Sequence, residues 1–456
     1  MNSAVESGAV VRGGAGRLSH RRVWALAGPM IVSNISVPLV GAVDTAVVGH
    51  LPQAHHIGAV ALGALIFTFL YWGFGFLRMA TTGIVARAVG AGDARALSNT
   101  LLRTLLLALL FGAAVIALSR PLIALALLLL DSSAQVERLA GEYARIRVWS
   151  APAALCVYVF TGLFIGMHNT RAALGLVLIL NLTNMALDFL FVPVLGFGVA
   201  GVAWATLIAE YTALIAGAWM LRADIRRALM STRRAEVLES AAVLELMRAN
   251  GHIFARTLCL MFSFAWFTAQ SARLGEVALA ANAILLHLQS IMAYALDGFA
   301  HAAEALAGSA YGARRRAAFR RAVRLTTLWA AVCAGLVSVA YLAFGEALLG
   351  LFTGIDTVLQ TSARYLPWMA AMPLLSVWSF QLDGIFIGTG HTRAMRDAML
   401  LSTAAYLALV ALLLPWLGNH GLFLGLAAFM LIRALTLWRY YPGVCAAMET
   451  VDGDGG

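Results

Sequence analysis

Residues Gly162–Ala173 read GLFIGMHNTRAA, and Gly384–Met395, 222 residues further on, read GIFIGTGHTRAM. Seven of the twelve positions are identical without a gap. A weaker echo has the same offset: Ala86–Gly92 (ARAVGAG) and Gly308–Arg314 (GSAYGAR) agree at three of seven positions. Each copy of the long phrase closes an apolar run, so the chain reads as two halves of one design. In a chain this hydrophobic, such a repeat points to a transporter.

The chain is 61% hydrophobic and 12% charged, where soluble domains carry about 25% charged residues. Long apolar runs follow one another almost without pause, which reads as an integral membrane protein. The net charge of +10 invites a nucleic-acid partner. That reading is rejected: all 32 basic residues are arginine, and they occupy short loops at alternate ends of the apolar runs, as topology signals do. Cys156, Cys259, Cys333 and Cys445 form no CxxC pair and read as small core residues. The run from Val23 follows a basic stretch like a signal peptide. It is too long for one and contains Pro29, Pro38 and Asp44, so it reads as a retained span.

Twelve helices are expected, at about 23–48, 58–84, 98–127, 143–166, 173–194, 198–221, 246–270, 276–305, 322–345, 363–388, 397–417 and 421–441. Each has the roughly 20 residues that cross the hydrocarbon core; barrel strands would be about ten residues and alternate in polarity. The expected fold is an all-α polytopic membrane protein. A cytoplasmic tail (1–22) leads into an N-lobe of six spans (23–221). An inter-lobe loop (222–245), a C-lobe of six spans (246–441) and a second cytoplasmic tail (442–456) follow. An even span number inserts both lobes the same way up, giving a pseudo-two-fold axis along the membrane normal and a cleft between lobes as substrate path. Most arginines, including the cluster Arg314, Arg315, Arg316, Arg320, Arg321 and Arg324, fall on one side. The other side holds Arg120, Arg138, Arg145, Arg147, Arg273 and Arg364. Both termini are therefore expected in the cytoplasm, and the protein in the plasma (inner) membrane.

Ionisable residues inside spans cost roughly 2.5–3.5 kcal/mol each and mark functional candidates. In the N-lobe, Asp44, Asn184, Asp188 and Thr206 fall at one depth, roughly 7–12 Å inside the outer boundary at the helical rise. Asn184 and Asp188 share a helix face, with Asn181 one turn away. Two acids in one low-dielectric site repel each other, which suits one of them to take up and release a proton. The oxygen ligands would equally suit a hard cation such as Na⁺. The alternative is that each Asp caps or pairs separately. In the C-lobe, Arg256, Asp297, Glu304 and Asp383 lie in the inner half. They read either as a structural ion-pair network, Arg256 with Asp383 or Asp297, or as a second relay or substrate dock. His287 and His301 could join either. Pro29 and Pro38 remove backbone hydrogen bonds and permit a kink in the first span. Arg78 is expected to snorkel, and Glu210 has no assigned role.

No Walker loop, HExxH, GxSxG or usable CxxC is present, so neither ATP-driven transport nor catalysis is indicated. Several stretches together resemble the multidrug and toxic compound extrusion (MATE) family, in its DNA-damage-inducible F-like branch. They are PMIVSNISVPLVGAVDTAVVGHL (Pro29–Leu51), GFLRMATTGIVARAVGAGD (Gly75–Asp93), the pattern Asn181, Asn184, Asp188, LDGFAHAAEALAGSAYG (Leu296–Gly312) and LDGIFIG (Leu382–Gly388). The resemblance covers about residues 20–440. It implies a two-lobed exporter that exchanges H⁺ or Na⁺ for amphipathic, often cationic, molecules. It implies a coupling site at Asp44, Asn184, Asp188 and Thr206, with Tyr143 added, and helix bending at Pro29. Asp383 resembles a C-lobe acid of another branch, but Arg256 stands nearest to where that branch has its second acid, which favours N-lobe coupling.

The resulting expectation is a secondary active multidrug exporter, not an enzyme. It would work by alternating access as a monomer in the bilayer, with H⁺ (or Na⁺) as coupling ion and no cofactor. Alternatives are a flippase for a lipid-linked precursor and a membrane-embedded lipid-modifying enzyme.

Overall fold

A computed structural model describes residues 18–49, 54–130 and 132–448. The described residues contain no strand, and twelve helical stretches are long and apolar enough to cross a membrane. Spans one to six are His20–Gly41, His55–Ala91, Ala94–Ala117, Ala134–Gly166, Thr170–Val194 and Gly198–Met220; spans seven to twelve are Arg234–Arg273, Glu276–Gly312, Arg316–Gly350, Asp356–Thr389, Thr392–Leu417 and Asn419–Ala446. The all-helical class and the number of spans agree with the sequence reading, and the protein is a multi-pass membrane protein. Large apolar side chains such as Leu128, Leu342, Leu351 and Trp416 are exposed, as lipid-facing residues are.

Several boundaries differ from those read in the sequence. The helix that carries span one runs on to Gly49, straight through Pro29 and Pro38. Span two is interrupted at Phe74–Gly75, between helices Ala54–Gly73 and Phe76–Ala91. The stretch 222–245 is itself helical, with Arg222–Ser231, Arg234–Val237 and the start of Ser240–Arg273. The short helix is tethered from span three: Arg103 donates to the carbonyls of Glu236 (2.7 Å) and Val237 (2.9 Å), and Arg95 pairs with the Glu236 carboxylate.

The described chain divides into two compact units. One comprises Val32–Val85 and Asp93–Asn250; the other comprises Ala86–Gly92, Gly251 onward and the described residues up to Ile31. The first has a core around Phe67, Tyr71, Tyr143, Val192 and Val199. The second is built around Phe267, Phe299, Tyr406, Phe423 and Phe429.

The repeated phrase is a helix-packing device. In the first copy, a Cβ on Gly162 would meet the Arg78 carbonyl oxygen at 2.6 Å, and one on Gly166 the Thr82 carbonyl oxygen at 2.8 Å. In the second copy, Gly384 and Gly388 press in the same way on the carbonyls of Ala300 and Glu304. Ala300 and Glu304 stand 222 residues after Arg78 and Thr82. Glycines one helical turn apart let two backbones approach where apolar burial supplies no driving force, because the surrounding lipid is equally apolar. The weaker echo is reciprocal: Gly90 lies against the Ser309 backbone and Gly312 against the Arg87 backbone, again at the same offset. Such an i-to-j and j-to-i pattern is what a local two-fold relation between these two helix ends produces.

Between spans ten and eleven, Gly390 (φ +81°) ends the helix in the left-handed conformation that glycine tolerates. The next residue, His391, has Nδ1 3.1 Å from the Thr389 hydroxyl and meets the Tyr311 ring edge-on at 5.6 Å. Burial, and then the nearby Arg87 charge, hold this imidazole below the ordinary value of 6.5. The folded protein therefore favours the neutral ring. The stability it contributes is present above the ordinary value and declines as pH falls through it. Thermal unfolding measured from pH 8 to pH 5 is expected to show this decline, and His391→Asn to flatten it. An unchanged profile in the variant would remove His391 as its source.

Candidate functional site

Over residues 181–189, span five buries Asn181, Asn184 and Asp188, while Leu182, Ala186 and Phe189 are exposed. The i, i+3, i+7 spacing puts all three on one face. Directly after Asp188 the helix widens into a π-turn, Leu190–Val194, containing Pro193. Such turns recur at functional sites.

Asn184 Nδ2 donates to the Thr206 hydroxyl (3.3 Å), which itself donates to the Val202 carbonyl (3.0 Å). Asn181 Nδ2 donates to the Ser36 hydroxyl (2.8 Å) on the first helix. Asp44, on the same helix, brings its carboxyl within hydrogen-bonding reach of Asp188. Asp44 Oδ1 and both Asp188 oxygens are buried and, among the described residues, receive no hydrogen bond from an N–H or hydroxyl donor. Two carboxyl groups can join only through a proton held by one of them.

Tyr143 is fully buried, its ring seated against Gly63, where any side chain would collide with it. Its hydroxyl accepts from the Arg147 guanidinium, which also lies 5.2 Å over the Phe67 ring. Asp44 and Asp188 are within electrostatic reach of Tyr143, and Arg147 acts on Asp44, Asp188 and Glu210 alike. One guanidinium thus acts on three carboxyl groups in a low-dielectric setting, an imbalance of the kind that a bound proton or a hard cation offsets.

The structure therefore brings Asp44, Asn184, Asp188, Thr206 and Tyr143 into one neighbourhood. It adds two residues that the sequence reading did not place there. Arg147, counted with the outer-side arginines although it lies within the expected span 143–166, belongs to the site; helix Ala134–Arg147 continues through the tight turn Val148–Ser150 into Ala151–Gly166. Glu210 stands one turn beyond Thr206 on the buried side of span six, a spacing that could have been read from the sequence.

In the second unit, the Asp383 carboxylate accepts from both Arg256 and Arg433. Of the two ion pairs expected for Arg256, the one with Asp383 forms. Arg433, almost wholly buried on span twelve, was missed; its signal was a lone charge amid apolar residues. Glu304 faces His301 instead (3.4 Å), and Asp297 acts electrostatically on Arg433. His287 stacks on Phe352 at 5.8 Å, apart from these groups. Pro29 lies inside an unbroken helix, two residues before the chain passes from one compact unit to the other at Ile31.

A family model described as MatE matches residues 29–190 and 253–416. The chain is 41% identical over 430 residues to "DNA damage-inducible protein F" of Escherichia coli (strain K12), covering 92% of each. It is 25% identical over 442 residues to "Probable multidrug resistance protein NorM" of Rhizobium meliloti (strain 1021), covering 91% of each. Its fold matches a solved structure described as the outward-facing conformation of a multidrug resistance MATE family transporter, with TM-score 0.86, 20% identity and coverage of 99% of this chain and 100% of that one. A MATE in a bent conformation fits equally well, with TM-score 0.86, 19% identity and coverage of 98% of this chain and 99% of that one. One copy of the repeated phrase falls within each of the two matched stretches, and the protein belongs to the MatE family, alongside its DNA-damage-inducible F-like members.

Proposed function

We propose that this protein is a secondary active multidrug exporter. It exchanges external protons for amphipathic, often cationic, small molecules by alternating access, as a monomer in the plasma membrane with both termini in the cytoplasm. The family and the names of its relatives support efflux. The observation that carries the coupling is the Asp44–Asp188 carboxyl pair, buried without other donors beside Tyr143 and Arg147. Proton entry neutralises the pair and releases substrate outward; proton loss toward the cytoplasm resets it. Sodium coupling is the second form of this reading, because Asp44, Asn184, Asp188 and Thr206 all offer oxygen ligands. The acid pair favours the proton, since two neighbouring buried carboxyl groups repel when both are ionised and uptake of a proton by one relieves it.

The flippase alternative needs deep arginines free to hold lipid phosphate. Both Arg256 and Arg433 are instead engaged by Asp383, which weighs against it.

The test is efflux of a fluorescent cation from reconstituted vesicles under an imposed proton or sodium gradient. Wild type is expected to respond to the proton gradient, and Asp44→Asn and Asp188→Asn to lose at least tenfold in gradient-driven rate while folding normally. Coupled transport retained in the double variant would sink the proposal. A response to sodium alone would reassign the coupling ion.

A further inference from the structure

The other compact unit carries a polar site of its own, at the arginine-rich start of span nine. There a cavity of about 550 Å³ is lined by His20, Arg320, Arg321, Arg324, Leu325 and Leu328. No lining residue is acidic. The volume falls in the range of sites for small ligands.

The lining residues form two rows along helix Arg316–Gly350. Arg320, Arg324 and Leu328 stand at i, i+4 and i+8; Arg321 and Leu325 stand beside them at i and i+4. Each row is cationic at one end and apolar at the other. No charged residue follows Arg324 until Glu346, so Arg324 marks the depth at which this helix enters the hydrocarbon. Leu328 is 47% exposed just beyond it.

The donors are partly pre-arranged. Arg321 Nε donates to the Leu18 carbonyl (2.8 Å), which anchors the side chain. Trp329 Nε1 lies 3.1 Å from His20 Nδ1. An indole N–H can only donate, so Nδ1 accepts and the neutral ring carries its proton on Nε2, available as a donor. Trp24 packs edge-on to Trp329 at 5.3 Å and holds that ring.

We propose that this cavity binds the phosphate of an anionic phospholipid. The headgroup lies among His20, Arg320, Arg321 and Arg324, and an acyl chain runs along Leu325 and Leu328. A basic site at the end of a span is the setting in which anionic headgroups are held. The leucines continuing each arginine row favour a lipid over free phosphate, which would gain nothing from them. His20 begins the helix that carries Pro29 and Asp44, so the bound lipid would join the start of that helix to span nine.

The test uses the purified full-length protein in detergent, titrated with dioleoylphosphatidylglycerol or dioleoylphosphatidylcholine and followed by native mass spectrometry. The expected result is one retained phosphatidylglycerol, bound at least tenfold more tightly than phosphatidylcholine. Each arginine near a membrane surface contributes enough that R320Q/R324Q is expected to lose roughly tenfold or more. R314Q/R315Q, which removes equal charge outside the cavity, should change binding less than about twofold. Leu328→Gln should weaken lipid binding without affecting inorganic phosphate. Each variant is first checked for a wild-type elution profile and melting temperature, and Leu328→Gln supplies the test if the arginine pair fails to fold. Equal binding of the two lipids, or equal loss in both arginine pairs, would mean diffuse charge and overturn the proposal. So would displacement of the lipid by 10 mM inorganic phosphate, which would identify a soluble-anion site.

Discussion

Gly388→Val is expected to abolish recovery of folded protein, while Gly335→Val leaves it near wild type. At Gly388 a Cβ would fall inside the contact distance of the Glu304 carbonyl oxygen, and 3.1 Å from both the Glu304 carbonyl carbon and the Gly308 nitrogen. All three are backbone atoms, so no rotamer change relieves the clash; spans eight and ten must part. Even side-chain overpacking costs about 1–3 kcal/mol, against a total stability of about 5–15 kcal/mol. Gly335 has nothing within 4 Å of a Cβ, and valine costs no more than glycine within a helix. The equivalent change in the first copy, Gly166→Val, meets the Thr82 carbonyl oxygen at 2.8 Å, a shallower overlap than at Gly388, so a milder loss is expected. Size-exclusion profiles and thermal aggregation of the three variants decide the matter. A Gly388→Val protein as stable as wild type would show that the repeated phrase is not a packing device.

Asp383→Asn is expected to cost about 3–5 kcal/mol, the range for removing one partner from a buried ion pair. The carboxylate is shared by Arg256 and Arg433, which are 8% and 2% exposed. Without it, two guanidinium groups face each other in a low-dielectric interior. The penalty arises mainly from the stranded positive charges, so removing one should recover part of it: D383N/R433M is expected to melt above Asp383→Asn alone. The same pair of variants separates the two roles the sequence left open for this acid. A structural anchor gives a protein that is destabilised by Asp383→Asn and partly rescued by the second change. A relay gives a protein with wild-type melting that has lost gradient-driven efflux. The double engagement of Asp383 supports the former.

Much of the fold was legible in the chain. Twelve apolar runs of spanning length dictate twelve helices, because backbone groups in lipid must satisfy one another within the segment. The 222-residue offset announced the duplication. What the repeat does was not legible: GxFIG reads as a motif, and only the placement of Gly162, Gly166, Gly384 and Gly388 against neighbouring carbonyls reveals a matched pair of helix contacts. Boundaries shifted where short helices replaced expected loops, as in 222–245, since polar composition there suits an exposed helix as well as a loop.

For the candidate site, the sequence determined which groups span five can present together. Helical periodicity alone puts Asn181, Asn184 and Asp188 on one face. Depth counted from the span ends put Asp44 and Thr206 level with them. Only the tertiary structure decided which groups meet. It set Asp188 against Asp44, drew in Arg147, which had counted as an outer-side topology signal, and gave Asp383 a second arginine in Arg433. The reason is physical. Periodicity and insertion energy act within a single helix and can be read along it. The rotation of each helix about its axis, which selects the partner of every buried charge, is fixed by close packing against neighbours distant in sequence.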